Sequence, residues 1–142
     1  MHDKYLLIPL VTLAITQVVK LVIEVIITKK FNFERLMSGS GGMPSSHTAL
    51  VTSLTTALFI GEGYDSPIFA LALVMSLIVA YDSMGLRLQS GMQAAAINKL
   101  IEHNGLNSIG PLKEMIGHKP VEVAVGILDG IIMGTILMHF WG

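Results

Sequence analysis

A helix needs about 20 mainly apolar residues to cross the hydrocarbon core of a bilayer. The run from Tyr5 to Thr28 supplies them. Gln17, Lys20 and Glu24 interrupt it at i, i+3 and i+7, on one helical face. Polar groups are costly in hydrocarbon, so that face is expected to look into a bundle or a wet cavity. The whole chain has the same character: 52% of its residues are hydrophobic and 13% charged. Soluble domains carry about 25% charged residues. With 142 residues and so little polar surface, the chain reads as one integral membrane domain, residues 1–142.

Three further apolar stretches follow. The second begins near Ser45 or Ser46 and ends at Gly61; it is short and carries Thr48, Thr52, Ser53, Thr55 and Thr56. Small hydroxylated residues let helices approach closely, so this helix is expected to be surrounded by the others. Gly61 to Pro67 is a turn cluster. The third span runs from Pro67 to about Ala80 or a little beyond, and the fourth from Val121 to Trp141, with Trp141 as an interface anchor. Asp129 lies mid-span among Gly126, Gly130 and Gly134. Those glycines suggest a tight helix contact across which Asp129 bonds. The stretch from Arg87 to Pro120 has helix-forming composition without enough hydrophobicity to span, and His103-Asn104-Gly105 ends its first part. The expected fold is an all-α membrane protein with four transmembrane helices. A short interfacial or re-entrant helical element lies between the third and fourth.

Charge sets the orientation. The first loop holds Lys29, Lys30 and Arg35, and the third holds Arg87, Lys99, Lys113 and Lys119; the second has only Glu62 and Asp65. Positive loops stay in the cytoplasm, so the first and third loops are expected there, with both chain ends outside. Met1-His2-Asp3-Lys4 precedes an apolar run without a small-residue cleavage site, which reads as a retained helix rather than a cleaved signal. A net charge of −1 with scattered basic residues gives no sign of nucleic-acid binding. The absence of cysteine excludes disulfides and thiolate metal sites.

The two loops on the positive side each carry a histidine motif. Gly41-Gly42-Met43-Pro44-Ser45-Ser46-His47 puts a glycine-rich turn, two hydroxyls and an imidazole at the start of a helix. Amides, hydroxyls and the positive end of a helix suit a phosphate group. Gly117-His118-Lys119-Pro120-Val121-Glu122 holds a second imidazole four residues before a carboxylate. A carboxylate on one ring nitrogen stabilises the charge an attacking imidazole gains. Proline suits a first helical turn, so a helix starting near Pro120 sets Glu122 toward His118. Structural readings stand beside these. Ser-Ser-His is a good helix start in any protein. Glu122 suits the positive end of a helix on its own account. Lys20 pairs with Glu24 or serves a phosphate, and Asp82 and Arg87 form an internal salt bridge or belong to the site.

Pro44-Ser45-Ser46-His47 resembles the Pro-Ser-Gly-His element of the type 2 phosphatidic acid phosphatase and vanadium haloperoxidase superfamily, and His118-x3-Glu122 is similar to its His-x3-Asp element. Taken with Tyr81-Asp82-Ser83-Met84-Gly85-Leu86-Arg87, Gln93-Ala94 and Leu112-Lys113-Glu114, the pattern resembles the small, divergent bacterial branch of that superfamily, over roughly Gln17 to Gly126. The resemblance implies a lipid phosphate phosphatase of a bacterial cytoplasmic membrane, independent of metal and cofactor. With both histidine motifs in the positive loops, the active site is expected to face the cytoplasm. His118 would form a phosphohistidine, Glu122 would orient it, and His47 would be the acid for the leaving alcohol. Ser45 and Ser46 would hold phosphate oxygens. The family's Lys-x6-Arg-Pro element is altered here: Lys29 and Arg35 are one residue closer, and no proline follows. Lys20 is therefore preferred as the functional lysine, and since the family's Ser-Arg pair before the second histidine is also missing, Arg87 and Lys113 are assigned as the other phosphate-binding cations. Phosphatidic acid, phosphatidylglycerol phosphate and polyprenyl phosphates are the expected substrates. A non-catalytic binder or carrier of phosphorylated lipids is the alternative. A homodimer is expected of so thin a bundle, with the glycine-rich fourth span as its interface.

Overall fold

In the computed structural model, residues 3–29, 42–106, 108–114 and 117–141 are described, and all regular structure among them is helical. Gly41, Lys30 and Arg35 lie outside the described residues. The helices are α1 (Asp3–Thr28), α2 (Ser46–Glu62), α3 (Pro67–Met84), α4 (Leu86–His103) and α5 (Pro120–Trp141). Among the described residues, three segments are long and apolar enough to cross a membrane: α1, the stretch Pro67–His103 containing α3 and α4, and α5. The protein is thus an all-α membrane protein. α2 has 17 residues, about 25 Å of helix. Among the described residues between α3 and α5 there is one regular helix, α4, which follows α3 after Gly85 alone.

α2 lies at the centre, packed on α1, α3 and α5. Its serines and threonines face its neighbours: Ser46, Thr48, Thr52, Ser53 and Thr55 are buried. The glycines of α5 explain the closeness. A Cβ added at Gly126 would lie 2.7 Å from the Ser45 carbonyl oxygen, one at Gly130 2.7 Å from that of Ala49, and one at Gly134 2.8 Å from that of Ser53. Each step of four on α5 matches a step of four on α2, in the same direction. The two helices therefore run parallel, backbone against backbone. The glycine face expected at a dimer interface is filled from within the chain by α2, and any self-association uses another surface.

α1 runs the other way. Tyr5 donates from its hydroxyl to Glu62 Oε1 (2.7 Å) near one end, and Thr16 Oγ1 donates to Asp129 Oδ2 (2.5 Å) in the middle. Lys20 reaches Gly42 at the other end: a Cβ on Gly42 would lie 3.1 Å from Lys20 Cε. Asp129 thus bonds across to another helix, as its glycine neighbours suggest. The buried stripe of α1 is Ile8, Thr12, Thr16 and Lys20, at i, i+4, i+8 and i+12. Of the three polar residues expected on one inner face, only Lys20 is fully buried, and Gln17 and Glu24 flank the stripe. α3 is also antiparallel to α2, with Thr55 and Ser76 hydroxyls 2.7 Å apart and Ser76 donating to the Val51 carbonyl. Large apolar side chains such as Leu6, Val18, Leu71, Ile78 and Ile132 are more than half exposed, as suits a surface solvated by lipid.

The last turns of α1 and α3 and the first turns of α2 and α5 share one end of the bundle.

Candidate active site

The two histidine motifs meet because α2 and α5 start side by side. The Ser45 amide donates to the Glu122 carbonyl (3.2 Å), joining the residue before α2 to the first turn of α5. Ser45 is fully buried, and its hydroxyl lies 2.9 Å from that of Thr48. Its polar atoms therefore serve the helix contact. Ser46 is buried beside it, and His47, next in line, is exposed.

His118 is 4% exposed. Its amide donates to the Ser83 carbonyl in the last turn of α3 (3.0 Å), which fixes the loop before α5. Its Nδ1 lies 3.2 Å from Glu122 Oε2, and the Lys119 amide donates to the same oxygen (3.0 Å). A carboxylate only accepts, so the shared proton sits on Nδ1 and leaves the Nε2 lone pair available. Burial pushes the His118 pKa below the usual 6.5; the hydrogen bond and charge of Glu122 oppose this, and the charges of Lys20 and Arg87 add to the lowering. The balance keeps the ring neutral at pH 7, the form that can attack. NMR of ring-labelled histidine should therefore show His118 titrating below pH 6.5. In Glu122→Gln the opposing carboxylate is gone, so the titration should move further down. A move upward would contradict this electrostatic picture.

The cations are arranged unequally. Lys20 is 5% exposed and lines a cavity of about 250 Å³ together with Glu24, Thr28, Gly42, Met43 and Glu122. Arg87, Lys20 and His118 all lie within electrostatic reach of His47. Arg87 also donates from Nε to Asp82 Oδ2 (2.9 Å). The internal salt bridge and the proximity to the histidines are both realised. Lys113 is exposed, on a strand of chain pinned to the middle of α4: Asn98 donates to the Leu112 carbonyl (2.7 Å) and to Glu114 Oε1 (2.8 Å), and accepts from the Leu112 amide.

The profile of the Divergent PAP2 family matches residues 1–133. The chain belongs to this family. It is also similar to the uncharacterized membrane protein YuiD of Bacillus subtilis (strain 168), with 36% identity over 150 aligned positions covering 96% of this chain and 94% of the relative. No solved structure matches it. Family membership covers both histidine motifs and the four helix ends that carry them.

Sequence reasoning missed two supports of the site. The Ser83 carbonyl that holds His118 carries no side-chain signal. Gly117 has a signal in hindsight: it has φ +90, and a Cβ there would come 2.4 Å from the Leu88 amide nitrogen at the start of α4. No side chain fits between the His118 loop and the turn bearing Arg87. Gly117→Ala must push these apart, and should cost about 2–3 kcal/mol of stability, from the unfavourable φ and the overlap together. Thermal unfolding in detergent checks this, and an unchanged Tm would contradict the contact.

Proposed function

We propose that the protein is a lipid phosphate phosphatase, hydrolysing a phosphomonoester or pyrophosphate of a membrane lipid through a phosphohistidine, without metal, at the cytoplasmic face. The observation that carries this reading is the buried His118 bonded through Nδ1 to Glu122 at the end of the bundle where α2 begins. Nε2 of His118 attacks phosphorus, and the bond from phosphorus to the lipid oxygen breaks. His47, which the negative charge of the bound phosphate favours in its protonated form, gives its proton to that oxygen, and the lipid alcohol leaves. Neutral His47 then takes a proton from water as the water attacks the phosphoimidazole. Inorganic phosphate leaves, and both rings return to their starting states. Glu122 holds the tautomer and balances the charge that His118 gains on attack.

The equatorial oxygens need positive charge and donors. Lys20 and Arg87 supply the charge, and Ser46 with the amides at the start of α2 supplies donors. Ser45 acts by holding that turn against α5. Lys113, exposed on the segment pinned to Asn98 about three turns of α4 beyond Arg87, acts from further out, as long-range attraction for the anionic head group.

The test is release of phosphate from phosphatidic acid, phosphatidylglycerol phosphate and polyprenyl phosphates by purified protein in EDTA. Turnover on at least one of them is expected, and none on the panel would contradict the reading. Glu122→Gln keeps a hydrogen bond but loses the charge, and should lower kcat by about 10²-fold or more. A kcat within twofold of the wild type would remove Glu122 from the mechanism.

The altered Lys-x6-Arg-Pro element, with Arg87 paired to Asp82, favours one other reading, a binder of phosphorylated lipids without turnover. Orthovanadate would bind in both cases. Only the enzyme turns over.

A further inference from the structure

We infer that one acyl chain of a glycerophospholipid phosphate lies in an apolar groove between α2, α3 and α5 while its phosphate occupies the histidine site; this rests on the phosphatase reading above. The groove encloses about 570 Å³, within the range of about 300–1,000 Å³ in which proteins hold ligands of tens of atoms. Thr52 and Phe59 of α2, Leu73 and Ala80 of α3, and Ile127 and Thr135 of α5 line it. Each wall continues into the site. α2 begins with Ser46 and His47, α5 with Glu122 in its first turn, and α3 ends with Ser83, whose carbonyl holds His118.

The hydroxyls along the groove do not make it polar. Thr56 donates to the Thr52 carbonyl, Thr135 to that of Ile131, Ser76 to that of Val51, and Thr55 to those of Val51 and Ala72. With their hydroxyls turned back onto helix backbone, these residues are left to offer methyl and methylene groups, so the walls suit hydrocarbon. From Thr52 to Ile60 the groove follows α2 for about 12 Å, close to the ~15 Å of one leaflet's hydrocarbon. At the far end the rings of Phe59 and Phe69 stand 5.5 Å apart. This length takes the upper part of an acyl chain, and the rest of the chain runs on into the bilayer. The lining residues Leu73 and Ile131 are more than a third exposed on the outer face, so a lipid enters sideways from the bilayer.

The experiment compares wild type with Ile131→Trp, which fills the groove from its lipid side. In vesicles of phosphatidylcholine, kcat/KM is measured for dioleoyl phosphatidic acid and for the short, soluble ester butyl phosphate. The ratio of long to short should fall by about 10-fold or more in the variant. An unchanged ratio beside normal turnover overturns the groove and leaves the phosphatase reading standing. Photolabelling decides the matter even without turnover. Phosphatidic acid with a diazirine on one acyl chain should label α2, α3 and α5 inside the groove, and unlabelled phosphatidic acid should compete. Labelling spread evenly over the lipid-facing surface, as with a phosphate-free diacylglycerol probe, would overturn the proposal. So would crosslinks through Ile131 to a second copy of the chain.

Discussion

Replacing His118 by alanine should reduce phosphate release by at least about 10³-fold, the scale on which loss of a covalent nucleophile is felt. The ring is buried, bonded to Glu122 and held from behind by the Ser83 carbonyl. That carbonyl accepts from the backbone amide, which alanine retains. The loop should stay in place, and Tm should fall far less than activity. The variant leaves a space where Nε2 stood, and no other described residue pairs an imidazole with a carboxylate in the same way. Activity above about a tenth of the wild type would take His118 out of the role of nucleophile. His47→Ala should behave differently. Its loss should fall hardest on substrates with poor leaving groups and be partly relieved for esters of acidic phenols, because only the former need the proton.

Gly126→Val should cause a large loss of stability. Its Cβ would meet the Ser45 carbonyl oxygen at 2.7 Å and the Ser45 and Thr48 Cβ atoms at 3.1 and 3.2 Å. The first obstacle is backbone, which cannot turn aside, so the helices must separate. About 3 kcal/mol is expected, the upper end for overpacking, or about 10 °C in Tm for a chain of this size. The change also strikes where the Ser45 amide bonds the Glu122 carbonyl, so the two histidine motifs should part and activity should fall with stability. Leu128→Val, at a lipid-facing position 58% exposed, is the control and should move Tm by less than about 2 °C. Equal Tm values for the two variants would contradict the parallel contact of α2 and α5.

The spans were legible because hydrophobic length is a strong signal. α1, α3 and α5 run close to the apolar stretches read from the chain, and the turn from Gly61 to Pro67 lies where glycine and proline cluster. The shared end of the two histidine motifs was legible as well, since alternating spans bring the first and third loops together. Which face of each helix turns inward was harder. On α1 the polar spacing pointed to Gln17, Lys20 and Glu24, yet the buried stripe is Ile8, Thr12, Thr16 and Lys20. Threonine is weakly polar in a sequence but packs closely and bonds across, as Thr16 does to Asp129. The glycines of α5 announced a close contact without naming its partner. Glycine has no side chain to distinguish a helix of the same chain from one of a second copy. α4 was legible as a helix from its composition, and it ends at His103, where His103-Asn104-Gly105 marks the break. With little apolar stripe, its sequence did not show which face turns inward or how closely it follows α3 after Gly85.

Rapid quenching of the wild-type protein with a lipid phosphate, followed by mass spectrometry under conditions that preserve phosphoimidazole, bears most directly on the proposed chemistry. A phosphate on His118 that appears within one turnover and decays as inorganic phosphate is released is the expected result. Phosphate release with no label on His118, or with the label on His47 instead, would contradict it.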